Sequence, residues 1–97
     1  MDTIIKRETD GDRGAFFIEG PDEAARWLAE LTYTLRGGVM VINHTGVREA
    51  LQGQGVARRL VDAAVAAARA EGLKIQPVCS YARKVLHGSP DFEDVLA

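Results

Sequence analysis

Between Trp27 and Leu35 the chain reads WLAELTYTL, and the alternation puts Trp27, Ala29, Leu31, Tyr33 and Leu35 on one side of an extended segment. From Val56 to about Glu71 the spacing changes. Val56, Ala57, Leu60, Val61, Ala64, Ala67 and Ala68 share one helical face there, with Arg58, Arg59, Asp62 and Arg69 opposite. Periods of two and of 3.6 residues are the side-chain repeats of strand and helix, so the first segment is predicted as a strand and the second as an amphipathic helix. Gly72 stands where a C-capping glycine belongs.

The remaining elements follow from punctuation. Ile4 and Ile5 lead into polar residues and the turn TDGDRG, after which AFFIE reads as a short strand, which predicts a hairpin. GPDEAAR combines a proline turn with helix-compatible alanines, and Arg36-Gly37-Gly38 turns the chain into VMVINHT, whose apolar start suits a central strand covered on both faces. Phe16, Phe17, Trp27 and Tyr33 are expected in the core. After the long helix, LKIQPV is a short strand that Pro77 must end or place on an edge, SYARKVLHG is a short helix with Ser80 as its predicted N-cap, and the tail DFEDVLA offers Phe92, Val95 and Leu96 to the core. The predicted fold class is α/β in the α+β sense, a mixed and mainly antiparallel sheet with one long helix and one short C-terminal helix.

Composition narrows the function classes. At 97 residues the chain supports one hydrophobic core, so residues 1–97 are expected to form one domain. The formal net charge of -2 argues against a uniformly basic surface for nucleic acid or anionic lipid, although Arg58, Arg59, Arg69, Arg83 and Lys84 keep nucleic-acid binding as the last-ranked alternative. Cys79 is the single cysteine, and the N-terminal residues carry no apolar run of signal-peptide length, so a cytoplasmic location without membrane insertion is expected. No metal-binding residue is assigned.

The chemistry begins at ALQGQGVARRL, Ala50 to Leu60. A strand, a glycine-rich turn and a helix in that order form an anion cradle: glycines let backbone N–H groups converge, and the helix N-terminus adds its own unsatisfied donors. A P-loop would need Lys and Ser/Thr directly after its last glycine, where Val56 and Ala57 stand, and a dinucleotide fingerprint would need a small residue at Arg58. What fits is Q/R-x-x-G-x-G/A, read as Gln52-Gly53-Gln54-Gly55-Val56-Ala57, with a strand before it and helix, strand and helix after it.

On these residues the chain resembles the GNAT superfamily of acetyl-CoA-dependent N-acetyltransferases from about Leu28 onward. HTGV, LQGQGVARRLV and PVCSY together are similar to the very small GNAT-like group with a cysteine in the acetyl-CoA site. The resemblance implies that residues 52 to 57 grip the CoA pyrophosphate, and that pantetheine lies in the splay between the strand ending near Thr45 and the one ending near Val78. Val47 would supply backbone bonds. Arg58 or Arg59 either meets a phosphate or belongs to a solvated face paired with Asp62. Relatives of larger size carry two helices between the first strands, for which TDGDRG leaves no room. An enclosed acceptor pocket is therefore not expected, and an exposed or macromolecular amine, or a partner completing the site, is.

Cys79 precedes a helix N-terminus, which favours thiolate over thiol. Two routes stay open: an acetyl-cysteine that an amine discharges, or direct attack of the amine with Cys79 lining the site. His44, at a strand end, is the candidate base, and the resemblance implies Tyr81 as the candidate acid for the departing thiolate. The alternative from another class is a non-catalytic CoA-binding or protein-interaction module, which keeps the loop and needs neither His44 nor Cys79. The acceptor's identity and the oligomeric state are not encoded in any recognisable motif.

Overall fold

A computed structural model describes residues 4–97. Five strands lie in sequence order in one sheet: β1 (Lys6–Asp10), β2 (Arg13–Glu19), β3 (Trp27–Arg36), β4 (Val39–Val47) and β5 (Lys74–Pro77). β1 to β4 form antiparallel hairpins, and β5 joins β4 in parallel through the crossover helix α1 (Val56–Glu71). Helix α2 (Ser80–His87) follows β5. The β1–β2 loop is Gly11-Asp12 alone, so no helix stands between these strands. Gly37 and Gly38, at φ +52° and +81°, both take left-handed values, which is what a two-residue hairpin needs to follow the strand twist.

Both helices cover the same face. Phe16 and Ile18 of β2, Ala29, Leu31 and Tyr33 of β3, Met40 and Ile42 of β4 and Ile75 of β5 are buried together with Leu60, Val61, Ala64, Val65 and Ala68 of α1 and Ala82 and Leu86 of α2. Each fully buried aliphatic side chain contributes about 1.5–3 kcal/mol, so this layer, and not helix propensity, holds α1 in place. Gly72 ends α1 at φ +69° as its C-cap. The tail closes the core: Phe92 and Val95 are buried, and the backbone of Val95 and Ala97 bonds to Ile75 along the free edge of β5.

Four expectations need correction. β4 is covered on one face only, with Met40 and Ile42 buried and Val39 and Val41 partly exposed, because no element lies over the other face. Phe17 and Trp27 lie on that open face: neighbours Phe16 and Phe17 must point to opposite sides, and a register shift between Ile18 and Glu19 turns Trp27 away from Ala29. In α1, Val65 is buried where Ala57 and Ala67 were expected to be as central; Ala67 flanks the core, and Ala57 is half-buried beside the glycine loop. The N-cap of α2 is Cys79, and Ser80 is its first helical residue.

Candidate functional site

The glycine loop joins β4 to α1 through a 3-10 turn, Glu49–Leu51. Gly53 and Gly55 take φ of +79° and +73°, and no protein atom lies within 4 Å of where a Cβ would stand on either. Left-handed backbone with open space in front of it is available to glycine without strain and leaves room for a ligand against the main chain. Gly55 is also the N-cap of α1, where a side-chain acceptor is usual. It offers none, and no acidic residue stands in the first turn. The first N–H groups of α1 therefore face the loop without a side-chain cap, the arrangement that suits a phosphate.

Gln52 and Gln54 hold the loop. Gln52 Nε2 donates to the carbonyl of Val47 at 3.0 Å and Gln54 Nε2 to that of Ala50 at 3.4 Å. A hollow of about 260 Å³ runs along the loop, lined by Val47, Leu51, Gln52, Gly53, Gly55, Val56, Ala57 and Tyr81. Leu51 was not singled out from the sequence; an apolar residue directly before the motif glutamine was its only signal. Arg58 pairs with Asp62 at 3.0 Å and lies over the Phe92 ring at 5.4 Å, which corresponds to the solvated-face reading of this arginine.

The sheet splits beside this hollow. β4 pairs with β5 only from Val39↔Lys74 to Ile42↔Pro77, and the pairing ends where the Ile42 carbonyl accepts from both Val78 N (3.0 Å) and Cys79 N (3.1 Å). A register shift on the other side of β4 makes Asn43 the extra residue, with Tyr33 opposite Ile42 and Thr32 opposite His44. One inserted residue exchanges the faces of everything beyond it. Thr45, opposite Leu31, thereby faces the helices, and the Cys79 thiol donates to its Oγ1 at 3.6 Å.

The Cys79 thiol is held below the usual thiol range. Burial alone would raise it, but this is outweighed by the backbone N–H of Ala82, the Thr45 hydroxyl, the backbone N–H of Tyr81 and the backbone of Thr45. No side chain closes a capping hydrogen bond at this terminus, so the N–H groups of the first turn of α2 are left to act on the sulfur.

Thus Thr45, Val47, Cys79, Tyr81 and the loop from Gln52 to Arg58 stand on the helix-bearing side. His44 does not join them. It points from the open face, paired across the sheet with Thr32, and its Nε2 would lie 2.9 Å from a Cβ on Gly46. Among the hollows on that face are one of about 670 Å³ over Ala15, Thr32, Thr34 and Asn43 and one of about 380 Å³ between Phe17, Trp27, Glu30 and Arg48. Arg48 lies 4.5 Å over the Trp27 ring and donates to its carbonyl. Among the described residues no helix is long and apolar enough to cross a membrane.

Compared with known families, residues 15–95 match the model described as GCN5-related N-acetyl-transferase. A GCN5-like candidate N-acetyltransferase from Staphylococcus aureus, solved by NMR, is 35% identical, with a TM-score of 0.72 over 95% of this chain and 87% of that one. Two larger proteins share the fold at 16% identity. A ribosomal-protein-alanine N-acetyltransferase from Brucella melitensis biovar Abortus has a TM-score of 0.59 over 91% of this chain and 66% of its own. A GNAT family N-acetyltransferase from Escherichia coli, crystallised with CoA, has a TM-score of 0.58 over 82% of this chain and 44% of its own. A search of curated proteins found no significant match. The family match over nearly the whole chain, and the relative that shares a third of its residues, show that the chain belongs to the GCN5-related N-acetyltransferase family.

Proposed function

We propose that this protein binds acetyl-CoA and transfers the acetyl group to an amine, with Cys79 as the group that first receives it. The observation that supports the reading is the continuity of the helix-bearing side, where an uncapped glycine cradle, a hollow walled by Tyr81, and a thiol held toward its thiolate form follow one another along a split sheet. The residues fit the cofactor. Gly53, Gly55 and the start of α1 would hold the pyrophosphate, and β4 from Asn43 to Val47, which has no β5 partner, would meet pantetheine along the split. Acetyl-CoA supplies an acetyl group activated as a thioester.

Cys79, as its thiolate with the proton given up to water, would form the new bond to the acetyl carbon while that carbon's bond to the CoA sulfur breaks, and Tyr81 would give the departing sulfur a proton and take one back from water. The acceptor amine enters from the open face, where His44 takes its proton as the nitrogen replaces Sγ on the acetyl carbon. Both of these hollows are open to solvent, which suits an amine carried on a larger or flexible molecule. Intact-mass measurement after exposure to acetyl-CoA tests the reading. One added acetyl group is expected on the wild type, released by hydroxylamine and by an amine acceptor, and missing from Cys79→Ala. His44→Ala should form the adduct and discharge it slowly. Equal rates of amine acetylation by wild type and Cys79→Ala would overturn the covalent route.

A further inference from the structure

The contact between Cys79 and Thr45 is a side-chain link across the split, from the N-cap of α2 to a strand that β5 no longer pairs with at that level. Thr45 needs explaining on its own. Its neighbours across the sheet on this face are Leu31 and, beyond it, Phe16, both buried, and the next residue on the same side of β4 is Val47. An aliphatic β-branched side chain would satisfy strand preference and packing equally well there. What a threonine adds is a hydroxyl 3.6 Å from sulfur.

We infer that Thr45 is a positioning residue for Cys79, a role beyond backbone contact with the cofactor: its hydroxyl holds Sγ at the mouth of the split in either protonation state. A hydroxyl both accepts and donates. It accepts from the thiol, as in the present geometry, and rotates to donate once the proton has left, so the sulfur keeps one partner while it acts as a nucleophile. The groups around the sulfur make this contact distinctive. From α2 come the N–H groups of Tyr81 and Ala82, which donate only, and the Tyr81 phenol stands in the neighbouring hollow. From β4 comes Thr45, while His44 faces the other side of the sheet. Thr45 is the group that can serve both forms.

The inference concerns the same site as the proposed acetyl transfer, yet its test needs no acetyl-CoA. Cys79 is the single thiol, so the pH dependence of alkylation by iodoacetamide reads its ionisation directly in the full chain, with Cys79→Ala as the blank. Thr45→Val keeps the shape and removes the hydroxyl. Its alkylation midpoint should rise by up to about one pH unit, because the bond donated to the charged thiolate is worth more than the one accepted from the thiol. Thr45→Ser should return the midpoint close to that of the wild type, which a purely packing role would not do. Thr45→Ala, if Val at this position perturbs folding, should behave as Val does. A midpoint unchanged in folded Thr45→Val or Thr45→Ala, or a serine variant shifted as far as they are, overturns the assignment. Failure of the acetyl adduct to form, with these midpoints as expected, would instead count against Cys79 as acetyl acceptor and leave the role of Thr45 standing.

Discussion

Gly55→Glu isolates the cradle from the rest of the fold, because the structure supplies its control. Gly55 and Gly38 have nearly the same backbone, φ +73° and +81°, and a Cβ on either would meet nothing within 4 Å. A side chain in that conformation costs about 1–2 kcal/mol at both positions. For a domain of this size each kcal/mol lowers Tm by about 4–8 °C, so Gly55→Glu and Gly38→Glu should lose similar stability without ligand. Only one of them faces the hollow. Gly38 opens β4 and the glycine loop follows its other end, roughly 26 Å away along an extended strand.

CoA at a hundredfold excess over its Kd stabilises the folded state by about 2.7 kcal/mol, a rise in Tm of about 10–20 °C. Gly38→Glu should keep that increment. Gly55→Glu sets a carboxylate where the pyrophosphate would lie, and a hundredfold loss of affinity leaves only about 0.4 kcal/mol at the same CoA concentration. Differential scanning fluorimetry with and without CoA separates the two effects in one experiment. A full CoA increment in Gly55→Glu would refute the cradle, and so would a wild type that CoA does not stabilise.

Two further predictions concern stability away from the loop. In Gly14→Ala the new Cβ would stand 2.1 Å from Tyr33 Cζ, so the ring must leave its place and its hydrogen bond from Arg7 Nε at 2.9 Å; a loss of about 1–3 kcal/mol by urea unfolding is expected, with CoA binding by calorimetry unchanged. Glu71, paired with the Arg7 guanidinium, titrates below its ordinary 4.5, chiefly through that hydrogen bond. A lowered folded-state pKa adds stability that is complete above about pH 4.5 and lost as pH falls further, so Glu71→Gln should flatten the stability curve in that acid range. Both side chains are a third or so exposed, which limits the effect to about 0.5 kcal/mol, and an acid limb identical to that of the wild type would contradict the link.

The long helix was legible because sixteen residues repeat one spacing and Gly72 ends it where the pattern stops; no tertiary contact was needed to find it. The strands were legible for the same reason, as local periods. What local spacing does not carry is which face a strand residue takes after an irregularity. The shift between Ile18 and Glu19 sends Trp27 to the open side although its alternation with Ala29, Leu31 and Tyr33 is regular in the sequence. The glycine loop was readable as a turn whose residues can take left-handed backbone, which Gly53 and Gly55 do and Gly14, Gly20, Gly46 and Gly88 do not. That Gln52 spends its side chain on the Val47 carbonyl was not, because only the folded loop brings the two together.

The candidate site shows the same limit at its centre. His44 and Thr45 are adjacent in sequence and stand at one strand end, so position alone associates both with Cys79. The extra residue Asn43 decides their sides: without it Thr45 would face away from the helices and His44 toward them. With it, the hydroxyl reaches the sulfur and the imidazole is left on the open face. On the function proposed, this division is useful chemistry. A base beside the sulfur would compete with the amine for the same space, whereas a base across the split meets the amine on its own side. The fold then needs no acceptor helices to keep cofactor and amine apart, because the sheet itself lies between them and opens only beyond Ile42.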